Sequence, residues 1–151
     1  MASNVTSLNW GKIATQGAIA GVVGGIVIAL FLFLALGAIF HLSPAVVLTM
    51  DAHNVKSDNP LVGLLAHLAV SILWGIGYVY AAATRPNIAT KPWISGIAFG
   101  VVVWVLMQFV LMLGAVWPGL TLQTTAIGLL AHMVFFGIPV ALTTRALQKT
   151  Q

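Results

Sequence analysis

Cysteine is absent from this chain and acid nearly so: its 151 residues include no Cys and only two Asp/Glu, Asp51 and Asp58. Without thiols there are no disulfides, thiolate metal sites, Cys-ligated iron-sulfur clusters or lipidated cysteines. With so few carboxylates, no two-carboxylate or Ser-His-Asp set can be assembled, and no carboxylate is expected near either histidine of the long apolar runs, which argues against hydrolysis. Charge of either sign is scarce, at 5% of residues against about 25% in soluble domains. The six Lys and Arg are scattered, with no basic cluster. The net charge of +4 and pI near 10.0 therefore do not indicate nucleic-acid binding.

What is abundant is hydrocarbon. Hydrophobic residues make up 60% of the chain and the mean hydropathy is +1.07. Four runs, 17–40, 61–83, 93–116 and 122–142, contain no Asp, Glu, Lys or Arg, and each is long enough to cross a bilayer core of about 30 Å as a helix. Lipid offers backbone amides no water, and the alternation of a membrane β-barrel is missing, so the runs must be helical. The expected fold is all-α: one integral membrane four-helix bundle over residues 1–151. The first run exceeds the roughly 7–15 residues of a signal-peptide core and lacks an A-x-A end, so it is expected to stay in the mature protein.

Lys12, Arg85, Lys91, Arg145 and Lys149 fall on one side of four crossings, and Lys56 alone falls on the other with both acids. The positive-inside rule then places both termini in the cytoplasm. The loop 41–60 lies outside. Its apolar PAVVLTM is too short to span and reads as an interfacial or re-entrant turn of helix. The following DAHNVKSDNP reads as a solvated loop, with His41, His53, Asp51 and Asp58 in no recognised metal spacing.

The chain also repeats itself. The pentapeptide GLLAH occurs at Gly63–His67 and again at Gly128–His132, and LGAIF at Leu36–Phe40 is echoed by LGAVW at Leu113–Trp117, each followed by a proline, Pro44 or Pro118. Two spans per repeat gives both halves the same orientation, a parallel-repeat architecture that makes His67 and His132 symmetry mates. The first half carries roughly 12 extra residues in its outer loop. Gly17, Gly21 and Gly25, and likewise Gly96 and Gly100, recur at four-residue spacing, which lets helix backbones approach closely.

His67 and His132 each lie about 9 Å inside their helices, in the outer half of the bilayer. Each has a glycine one turn earlier on the same face, Gly63 or Gly128, which would open space beside the imidazole. Two facing imidazoles with room for a flat ring are what a b-type haem requires. On that reading His67 and His132 ligate the iron, with Trp74, Phe135 and Phe136 lining the pocket. The competing account makes them interhelical hydrogen-bonding residues. Gln108, Ser71 and Tyr78 are the other polar groups available to a solute path, and Pro139 could interrupt the fourth span.

The stretches AHLAVSILWGIGYVYAAATRP, KPWISGIAFGVVVWVLMQFVLMLGAV and LLAHMVFFGIPVAL resemble a family of small bacterial four-span membrane proteins known mainly as a domain of unknown function. Its best markers here are His67, His132 and the Leu73-Trp74-Gly75 step. The resemblance implies a bacterial inner-membrane location and brings no activity with it. The sequence is read as a non-catalytic subunit in contact with lipid and packing with other membrane subunits or its own copies, in a larger, energy-transducing assembly. Haem-based electron transfer with haem b, and small-solute transport, stand as alternatives.

Overall fold

The computed structural model describes residues 8–113 and 120–149. Among these, every regular element is helical: α1 (Trp10–Phe40), α2 (Pro44–His53), α3 (Pro60–Thr84), α4 (Pro86–Thr90), α5 (Pro92–Leu113) and a fourth long helix made of α6 (Leu122–Leu130), a π-helical stretch (Ala131–Gly137) and α7 (Ile138–Lys149). Four helices are long and apolar enough to cross a membrane: α1, α3, α5 and Leu122–Lys149. The end of the third apolar run, with the LGAVW echo beyond Leu113 and Pro118, lies outside the described residues.

Proline and small polar caps set most helix starts. Pro44, Pro60, Pro86 and Pro92 each open a helix, where a missing N–H costs nothing because the first turn has no acceptor for it. Asn9, Ser43, Asn59 and Thr121 each accept a backbone N–H of the turn they precede. Because Asn9 supplies such a cap, α1 begins at Trp10, about two turns before the uncharged run. At its other end His41 adopts a left-handed conformation, φ 56°, and donates its N–H to the Gly37 carbonyl.

Glycine decides which helices touch. A methyl group on Gly21 would come within 2.7 Å of the Ile72 Cα, and one on Gly25 within 2.7 Å of Ser71 Oγ, so α1 and α3 meet backbone to backbone. Gly75 is the reciprocal contact on α3, facing Gly17 and Gly21. The fourth long helix meets α5 in the same way, with Gly96 against Gly137 and Ile138 and Gly100 against His132 and Met133. A methyl group on any of Gly17, Gly21, Gly25, Gly96 or Gly100 would thus meet atoms of a neighbouring helix. Gly75 and Gly137, which carry no four-residue ladder of their own, complete these contacts. α1 also packs along the fourth helix, whereas α3 and α5 do not pack along their length. They are joined near the end of the bundle that holds the termini, where Tyr78 Oη lies 2.7 Å from Ser95 Oγ and the Tyr78 ring meets Phe99 edge-on.

Two departures from the sequence reading bear on the site. The segment 44–50, expected as an interfacial or re-entrant turn of helix with a loop from Asp51 onward, is part of a ten-residue helix that takes in Asp51–His53 and packs on α3. The fourth helix is widened, not broken: just before Pro139 its hydrogen bonds run from residue i to i−5, as from Ile138 N–H to the Met133 carbonyl. Pro139 has no N–H to give and its ring crowds the carbonyl four residues back, and a wider turn relieves both.

Candidate functional site

The site is assembled by the contact between α2 and α3. Ala52 is fully buried and Val47 nearly so, because Gly63 lets the α2 backbone lie directly on α3, against the Leu48 carbonyl and the Ala52 N–H. Gly63 and His67 are one turn apart on the same face of α3. Docking α2 at the glycine therefore brings the Asp51 side chain to the histidine.

His67 is held from both sides. Its Nε2 lies 3.0 Å from the Gly25 carbonyl of α1, and a carbonyl only accepts, so Nε2 carries a proton. Its Nδ1 lies 3.3 Å from Asp51 Oδ2, a contact that needs a second proton between imidazole and carboxylate. The pair is therefore net neutral, and one side chain ties α1, α2 and α3 together. This corrects the expectation that no carboxylate lies near an intramembrane histidine. Asp51 comes from the outer segment, and no signal in the sequence pairs it with His67.

His132 is bonded differently although its pentapeptide is identical. Its Nδ1 lies 2.8 Å from the Gly128 carbonyl of its own helix, so Nδ1 donates and Nε2 is left as an acceptor. No described residue bonds to Nε2. Nearby, Asn54 at the end of α2 donates from Nδ2 to the Asp51 carbonyl, 3.3 Å away. Its Oδ1 is buried with no hydrogen-bond partner among the described residues.

These groups share one cavity of about 210 Å³. Asp51, Asn54, His67, Ser71 and His132 give it a polar side, and Trp74, Met107 and Phe136 are among its apolar walls. Of the residues expected to line a pocket, Trp74 and Phe136 do so, while Phe135 stacks on Phe31 with ring centroids 4.0 Å apart. Of the groups considered for a solute path, Ser71 reaches the cavity, whereas Tyr78 bonds to Ser95 and Gln108 donates to the Trp104 carbonyl of its own helix. In the outer segment His53 pairs with Asp58 at 3.0 Å, both exposed. Among the described residues no three His or Asp side chains gather in a metal-binding group.

The residues do not fit a bis-His haem. Both ring nitrogens of His67 already face oxygen atoms, so no lone pair remains for iron. The glycines expected to make room are filled as well: Gly63 lies against α2, and a methyl group on Gly128 would meet the Trp104 indole Nε1 at 2.5 Å. The cavity is also smaller than the roughly 300–1,000 Å³ that accommodates drug-sized ligands.

Fold and site define an all-helical protein with four helices apolar enough to cross a membrane and a small, half-polar cavity between them. The chain belongs to the family of unknown function DUF6789, whose model matches residues 12–151. No curated protein and no solved structure matches it.

Proposed function

We propose that this protein is a non-catalytic membrane subunit that holds a small molecule in the cavity between α2, α3, α5 and the fourth long helix. The observation that carries this reading is an unmatched acceptor on a residue that lines the cavity, the His132 Nε2, to which no described residue donates. A buried polar atom without a partner is costly, and a ligand bearing hydrogen-bond donors removes the cost. Its placement in a larger, energy-transducing assembly is part of the same proposal, supported by apolar side chains such as Leu34, Leu73 and Phe109 on the outer helix faces. So are a bacterial inner-membrane location, two parallel two-helix repeats and cytoplasmic termini, which the repeated pentapeptide and the cation distribution support.

The test is thermal unfolding of the protein in lipid nanodiscs titrated with phenol, a single ring with one hydroxyl donor. Binding to the native state raises the unfolding temperature with concentration. The rise should be absent in Val70→Trp, which places an indole in the cavity. A rise of equal size in both proteins, or none in either, overturns the reading.

A further inference from the structure

Resting on that reading, we infer that the cavity takes the head of a lipid-soluble hydroquinone, a six-membered ring with hydroxyl donors and an apolar tail. Size comes first. A cavity of about 150 Å³ accommodates one benzene, so 210 Å³ holds a single ring with two hydroxyl groups. Charge comes second. The only carboxylate on the cavity is already opposite His67 in a net neutral pair, so a cation finds no free counter-charge and a neutral head is favoured.

Hydrogen-bond polarity then separates related neutral rings. His132 Nε2 accepts, and no described residue donates to it. A hydroquinone offers it an O–H. The corresponding quinone has the same shape but only acceptor oxygens, and would leave it unmatched. Trp74 and Phe136 among the walls suit a flat ring.

The way out of the cavity specifies the tail. α3 and α5 both contribute walls, Val70 from one and Met107 and Val110 from the other, yet they do not pack along their length and are tied together at Tyr78 and Ser95. Val110 is 44% exposed, so a way out past it, between these two helices, runs along a face that carries apolar residues such as Leu73 and Phe109. An alkyl chain leaving there meets hydrocarbon. The same ring chemistry exists in water-soluble form, and the experiment separates the two sources.

The full chain in nanodiscs would be titrated anaerobically with decyl-substituted hydroquinone, its oxidised quinone, and unsubstituted hydroquinone, following the unfolding temperature and equilibrium binding. The decyl hydroquinone should bind about tenfold or more tightly than its quinone, because a site built to bond hydroxyl groups rejects an analogue that lacks them. His132→Phe should bring that ratio toward one, and His132→Gln, which keeps an acceptor, should retain more of it than His132→Phe. The ratio is read within each variant, so a loss of stability that affects both ligands alike does not imitate the result. Equal or tighter binding of the quinone, or a ratio unchanged in His132→Phe, overturns the inference. Binding of unsubstituted hydroquinone without the decyl form overturns the lipid-soluble source. In either case phenol stabilisation lost in Val70→Trp would leave the broader binding reading standing.

Discussion

At the scale of single residues, the two copies of GLLAH show how little local sequence determines a histidine's role. His67 is fixed by a carbonyl from α1 and a carboxylate from α2, while His132 bonds only to its own helix. His67→Ala should therefore lower stability by about 1 kcal/mol, the usual scale of an interhelical polar contact in a membrane protein, and Asp51→Ala by a comparable or smaller amount. Because the two share one interaction, the double variant should fall short of the sum, which a double-mutant cycle of reversible unfolding in bicelles measures. Strict additivity would mean that the pair is not coupled. With no nitrogen of His67 free for iron, the purified protein should show no bis-His Soret band that shifts on reduction. An absorption spectrum of protein expressed with haem supplied checks this, and such a band lost in His67→Ala would refute the assignment. The histidines were legible in the sequence as a matched pair, but their partners were not. Asp51 stands in a short polar stretch with no periodicity, and only the docking of α2 at Gly63 brings it to α3.

At the scale of elements, apolar run length was enough to place the long helices, because a segment immersed in lipid has no alternative to helix. The packing ladders were legible too, since a glycine every fourth residue lines one face. What escaped was whatever depends on a second element. Gly63 reads as empty space beside an imidazole until α2 is seen to occupy it, and the widening before Pro139 depends on how the fourth helix accommodates a missing donor against Gly96 and Gly100. Gly21→Leu should impair folding far more than Leu32→Ala in the same helix, because the added side chain meets the α3 backbone and no rotamer avoids it. Comparing folded yield in mild detergent checks this, and equal yields would remove the close contact. Gly63→Val should have a narrower effect, freeing α2 while the other helices stay packed. Faster amide exchange confined to residues 44–59 is the expected signature.

At the scale of the whole molecule, the side of the membrane on which each end lies is set by sparse charges rather than by packing. Reporter fusions at Asn87 and after Gln151 should read cytoplasmic, and one at Ser57 periplasmic. A periplasmic signal from Asn87 would invert the proposed orientation. The two copies of one pentapeptide end in unlike chemistry. The α2 segment supplies an acid that takes the His67 imidazole out of service, while His132 keeps an accepting nitrogen to which no described residue donates. One histidine has become a rivet and the other an open hand.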